Sequence, residues 1–151
     1  IMASRRKEII NIIIAALKEI DGQAVIGKNY TYNNNLFNNA VRGIRFLDEV
    51  NDFPSLYISA GTENRDFNSK SLTVAELDVT IRAYVYGQDN SQSLADDIIQ
   101  DIEFVIYQQI AFDPDKGILD ITIDSISTDE GLAAPYGISE VNLLVAYRLQ
   151  N

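Results

Sequence analysis

The chain has 151 residues, 46% of them hydrophobic, a formal net charge of −10, and neither cysteine nor histidine. That length fits one domain over residues 1–151, able to bury roughly two thirds of the surface its unfolded form exposes. Without Cys and His there is no thiol nucleophile, no disulfide, no zinc site of the usual kind and no histidine base, so any chemistry would rest on carboxylates, lysine, serine or tyrosine.

The charge is unevenly placed. From Ile1 to Arg82 ten basic and ten acidic residues balance, whereas from Ala83 to Asn151 two basic residues meet twelve acidic ones. The second part therefore reads as an acidic surface that keeps the protein soluble or keeps nucleic acid off. Sequence-reading DNA binding is not expected, because phosphate contact needs clustered Lys and Arg, and only Arg5, Arg6 and Lys7 make such a cluster. The longest apolar stretch, Ile9 to Leu17, is broken by Asn11 and falls far short of the ~20 residues that span a bilayer, so no membrane partner is expected. The charged flanks of that stretch do not make a signal peptide, which points to work in a cytoplasm, and Ile1 before Met2 reads as an added residue outside the fold.

Ser4 to Ile20 predicts a helix of about four turns, with Ser4 as N-cap and Asp21-Gly22 as exit. Its apolar positions run too far round the helix for a single stripe, so it needs a second cover, either a neighbouring subunit or a loop of its own chain. Gly22 to Pro54 predicts a long loop centred on "NYTYNNNLFNN", since asparagine runs favour turns, with a short strand within Val41 to Phe46. "SLYISAG" reads as a strand and "TENRDFNSKS" as a polar excursion. Leu72 to Tyr86 then alternates over about 50 Å at ~3.3 Å per residue, long enough for part of it to project as a hairpin arm. Ser91 to Ile110 predicts an amphipathic helix with Leu94, Ile98, Ile102, Val105 and Ile106 on one face and Asp96, Asp97, Gln100 and Asp101 on the other. Two more alternating strands follow, around "ILDITIDSIS" and from Ile138 to Leu149, joined by "STDEGLAAPYG".

Alternation with one polar face marks an antiparallel sheet covered on one side. The predicted fold is α+β, a mainly antiparallel sheet with two helices packed on one face and long loops. The exposed sheet face would carry Glu76, Asp78, Asp120, Asp124 and Glu140.

Chemical motifs are weak. "VIGKN" lacks the upstream glycine of a phosphate loop, and no G-x-G-x-x-G follows a strand. "DPDKG" sets Asp113 and Asp115 at calcium-loop spacing but lacks the glycine and glutamate in their places. Asp120 and Asp124, four apart on one strand face, are the best candidates for a magnesium-dependent carboxylate site, against the simpler reading of a solvated face. Tyr84 and Tyr86 suggest either a small-ligand module or cross-strand packing. No catalytic residue and no cofactor is assigned. The loop residues Tyr30, Tyr32, Leu36, Phe37, Arg65, Phe67, Asp129, Glu130, Leu132 and Tyr136 are the candidate protein contacts, since long loops with apolar side chains suit partners better than water.

The succession "FPSLYISAG", a long strand ending "AYVYG", the helix "LADDIIQDIE" and "SISTDEGLAAPYGISEVNLLVAY" resembles the tail terminator, or tail completion, proteins of long-tailed bacteriophages. The likeness covers about Phe53 to Tyr147, and its most specific piece is "TDEG" plus "APYG" before an alternating strand. It implies a non-enzymatic virion protein that forms a hexameric ring on the tail tube protein, halts tube polymerisation and joins the tail to the head connector. DNA would pass through the ring without specific binding. The alternatives are another tail or neck component, such as a tube or head completion protein, or a magnesium-dependent enzyme.

Overall fold

The computed structural model describes residues 5–67 and 73–149, the side chain of Phe67 excepted. Its elements are α1 (Arg5–Leu17), β1 (Ala40–Arg42), β2 (Ser55–Phe67), β3 (Thr73–Tyr86), α2 (Ser91–Phe104), β4 (Ile118–Thr128) and β5 (Tyr136–Arg148). The strands form one sheet in the order β1-β2-β3-β5-β4, antiparallel throughout except where β1 runs parallel to β2. This is the α+β arrangement expected from the alternating pattern.

The alternation places the core. Leu77, Val79 and Ile81 of β3 lie opposite Val145, Leu143 and Val141 of β5, and all six are buried. Both helices cover that face, α2 against β3 and β5, α1 against β1 and β2. Ile9, Ile10, Ile13 and Leu17 of α1 join Ile98 and Ile102 of α2 in the same buried cluster. Each such side chain, moved from water to a packed interior, contributes about 1.5–3 kcal/mol before entropy costs.

Much of the first helix is covered by its own chain. A π-helical segment, Val105–Ile110, continues α2 and packs on α1 along with β1 and β2. Ile12, Ile14 and Ala16 are partly buried against the core, and the exposed positions of α1 from Lys7 onward are Lys7, Asn11 and Ala15. The helix stops at Leu17, before the expected Ile20; Ser4 lies outside the described residues.

Three expectations are corrected. The polar excursion does not begin at Thr62, because β2 continues to Phe67, shifted in register by a bulge between Ala60 and Glu63. Thr62, Asn64, Arg65 and Asp66 are exposed there, Glu63 is turned inward, and pairing with β3 resumes from Glu63 to Phe67. No hairpin arm projects from β3 either: Val74 to Tyr86 pairs with β5 along its whole length while β2 takes the other edge. The long strand is central, so the open edges of the sheet are β1 and β4. The short strand covers Ala40–Arg42 rather than a stretch within Val41 to Phe46, since Gly43 at φ 126 turns the chain out of line.

Candidate functional site

The asparagine-rich segment is a docked structure rather than a free loop, and one carboxylate organises it. Asp101, fully buried on α2, accepts hydrogen bonds from the Tyr30 hydroxyl (2.6 Å), the main-chain N–H groups of Asn33 and Asn34 (both 3.0 Å) and the Asn34 side-chain amide (3.1 Å). The expectation that Asp101 sits on the wet face of its helix is therefore overturned. Burial, reinforced by the bond to Asp101, pushes the Tyr30 phenol well above its ordinary range. Tyr30 stacks on Phe104 with ring centroids 4.1 Å apart, and Tyr32 meets the same ring edge-on at 5.7 Å. Tyr32 and Leu36 are buried in the core, so they anchor the loop from within and present nothing to a partner. Phe37, at φ 50 and 74% exposed, is the side chain this anchoring turns outward.

The loop between β4 and β5 is built on the same plan. The Asp129 carboxylate accepts from the N–H groups of Ala133 (2.8 Å) and Ile138 (3.1 Å), closing the loop across its base. Asp129 is thus a clamp inside the loop rather than one of its contact groups. Glu130 and Gly131 take positive φ of 58° and 86°, which turns the chain so that Leu132 stands 89% exposed at the tip. Tyr136 packs against Tyr86 and Phe53 at the loop's foot, with centroids 5.2 and 5.3 Å away. Replacing Asp129 by Ala is expected to cost about 1–2 kcal/mol and to speed amide exchange at Ala133 and Ile138 selectively, as read by hydrogen exchange.

The outer sheet face is less uniformly acidic than its sequence suggests. Glu76 and Asp120 both stand opposite Ala146 of β5, one from each side, and Asp78 follows in the next row opposite Leu144. These three are exposed and form a carboxylate patch. Glu140 is neutralised by an ion pair with Arg82, its neighbour across the β3–β5 ladder. Asp124 falls in a bulge between Ile123 and Ser125, so Ser125 takes the place opposite Asn142 and the regular Asp120/Asp124 spacing is lost. Farther along this face Tyr84 packs edge-on against Tyr57 at 5.7 Å and donates its hydroxyl to the Arg45 carbonyl. That is cross-strand packing under the segment after β1, and Tyr84 is buried by it.

A further ionic centre, not foreseen, ties α1 to the sheet. Glu63, whose side chain is 8% exposed, accepts from the buried Tyr147 hydroxyl and from Arg65 Nε at 2.8 Å, with Arg6 at 3.9 Å. Burial alone would raise the Glu63 carboxyl, but these bonds and charges outweigh it and hold the group below the usual carboxylate range. Arg65, foreseen as a loop contact, is a strand residue engaged with Glu63; Phe67 has no described side chain, and Asn68 to Leu72 lie outside the described residues.

Among the described residues no three acidic side chains gather closely enough to hold a metal ion, and no helix is long and apolar enough to cross a membrane. Asp113, half of the calcium-like spacing, instead caps a 3-10 turn through the Lys116 N–H at 3.3 Å. What the surface does offer is exposed apolar side chains at fixed positions: Phe37, Ile44, Phe46, Phe112 and Leu132.

The family model described as bacteriophage tail tube terminator protein matches residues 3–151. The tail tube terminator protein p142 of Escherichia phage T5 is 30% identical over 127 residues, covering 78% of this chain and 79% of the relative. A chain in the virion of a native gene transfer agent particle is 11% identical with a TM-score of 0.49, over 73% of this chain and 78% of that one, a likeness too loose to carry further argument. With its sequence matched from residue 3 to the end, the chain belongs to the bacteriophage tail tube terminator proteins and is a structural component of a phage tail.

Proposed function

We propose that this terminator assembles as a hexameric ring on the end of the tail tube, stops addition of further tube subunits and presents its other side to the head connector. The observation that carries the reading is the β4–β5 loop, where the Asp129 clamp holds Leu132 89% exposed at a fixed place. A rigid apolar tip costs little entropy to dock, which is what a ring seated on a repeating tube needs. The patch of Glu76, Asp78 and Asp120 suits the lining of a bore that DNA traverses without sticking, because like charge keeps the phosphate backbone off the wall. No catalytic step or cofactor is part of this role, and assembly would take place in the host cytoplasm.

Growth of tail tubes in the presence of the purified protein tests the reading. The wild-type chain is expected to shorten tubes and to leave electron-microscopic density on their ends. Leu132→Asp is expected to leave the unfolding midpoint unchanged, since the side chain buries nothing in the monomer, while weakening end capture at least tenfold. Tubes of unaltered length and bare ends with wild-type protein would overturn the proposal.

A further inference from the structure

The two open edges of the sheet differ in charge. Beside β1 stand Arg42 and Arg45; the Arg45 guanidinium bonds the Ile44 carbonyl and lies over the Tyr57 ring, and neither arginine has an acidic partner among the described residues. Along β4 stand Asp120 and Asp124, both exposed, with Asp120 bonded only to Thr122 at 3.2 Å and Asp124 in the bulge. Each edge also exposes apolar surface: Val41 (41%) and Ile44 (61%) at the first, Ile126 (40%) at the second.

We infer that β1 of one copy docks on β4 of the next, so that the sheet continues from subunit to subunit around the ring. This rests on the ring-forming role proposed above and identifies the surfaces that would build it. Strand direction permits the junction. β1 runs with β2, and successive antiparallel pairings through β3 and β5 leave β4 running against β1. Copies repeated in the same sense therefore meet antiparallel, the more stable kind of pairing. The Leu56 N–H bonds the Asn39 carbonyl and the Gly43 N–H bonds the Ile58 carbonyl, so the backbone at 39 and 43 faces β2, and alternation turns that of Arg42 outward. At β4 the Tyr107 hydroxyl meets the Ile123 N–H at 3.0 Å and Asp113 pairs with Ile118, so those two positions are already occupied and the junction falls on the rest of the strand.

Charge selects this pairing over its rivals. Two β4 edges meeting would set Asp120 and Asp124 against their own copies, and two β1 edges would set arginine against arginine. A contact between unlike edges is head-to-tail, which closes into a ring when its rotation allows and has no reason to stop at two copies.

Charge exchange tests the inference. Arg42→Glu with Arg45→Glu in one chain, and Asp120→Lys with Asp124→Lys in another, should each fold with an unchanged midpoint. Either chain alone should assemble at least tenfold more weakly than wild type, by light scattering and on the ends of purified tail tubes. Mixed in equal amounts they should recover rings, because native contacts and exchanged contacts then alternate around an even-numbered circle. If the wild type forms rings but the separate variants do too, or the mixture recovers nothing, the edge pairing is wrong while the ring reading stands. A wild-type chain that forms no ring, alone or on tubes, overturns both.

Discussion

Replacing Asp101 by Ala is expected to lower the unfolding free energy by about 3 kcal/mol and the thermal midpoint by about 10 °C. The carboxylate is fully buried and accepts four hydrogen bonds from the segment Tyr30 to Asn34, none of which alanine can replace. The Tyr30 hydroxyl and two main-chain N–H groups would then need water or stay unpaired, and the loop would loosen from α2. Asp101→Asn should recover only part of the loss, because its amide nitrogen faces donors where the carboxylate presented a second acceptor. The exposed Asp96→Ala on the same helix should stay within about 0.5 kcal/mol of wild type. Thermal unfolding of the three variants side by side measures this, and an Asp101→Ala midpoint equal to that of Asp96→Ala would contradict it.

Glu63→Ala is expected to cost about 2 kcal/mol at neutral pH, since it strips the acceptor from the buried Tyr147 hydroxyl and the partner from Arg65 and Arg6. The cost should depend on pH. A carboxyl whose folded pKa is depressed contributes stability that is present above its unfolded value, ~4.3, and is lost as pH falls through the folded value. The gap between wild type and Glu63→Ala should therefore be constant from about pH 7 to 5 and close as the solution is made more acidic. Denaturant unfolding at several pH values reads it, and a gap that widens in acid would show that the ionised form of Glu63 is not the stabilising one.

Periodicity carried much of the fold because burial on one face of a sheet leaves a period of two in the residues themselves. Leu77 to Ile81 alternate by residue type, whereas Val141 to Tyr147 alternate strictly only in burial, since Leu144 and Ala146 are apolar in outward places. The pattern is silent where the register slips. Asp124 looks like a regular position until a bulge inserts it, and no alternation of residue types announces the bulge. Strand order is equally hidden, so length alone suggests that part of β3 projects as an arm when the strand is the middle of the sheet.

Polar clasps were the other loss. Asp101 looked solvent-facing by residue type, yet at about 100° per residue it lies within about 20° of Leu94 on the helix wheel, inside the apolar arc. Angle rather than residue type is therefore the signal of its burial. The partnership of Glu63 with Tyr147 had no comparable signal, because 84 residues separate the two. In the loops, residue type does not separate the apolar side chains that stay outside, Phe37 and Leu132, from Tyr32 and Leu36, which are held in the core.

Light scattering behind size exclusion on the purified chain, repeated with tail tubes present, tests the terminator ring most directly. The proposed hexamer requires particles of six times 16.9 kDa, either free at high concentration or retained at tube ends. A chain that stays a monomer at every concentration and elutes apart from the tubes would contradict it.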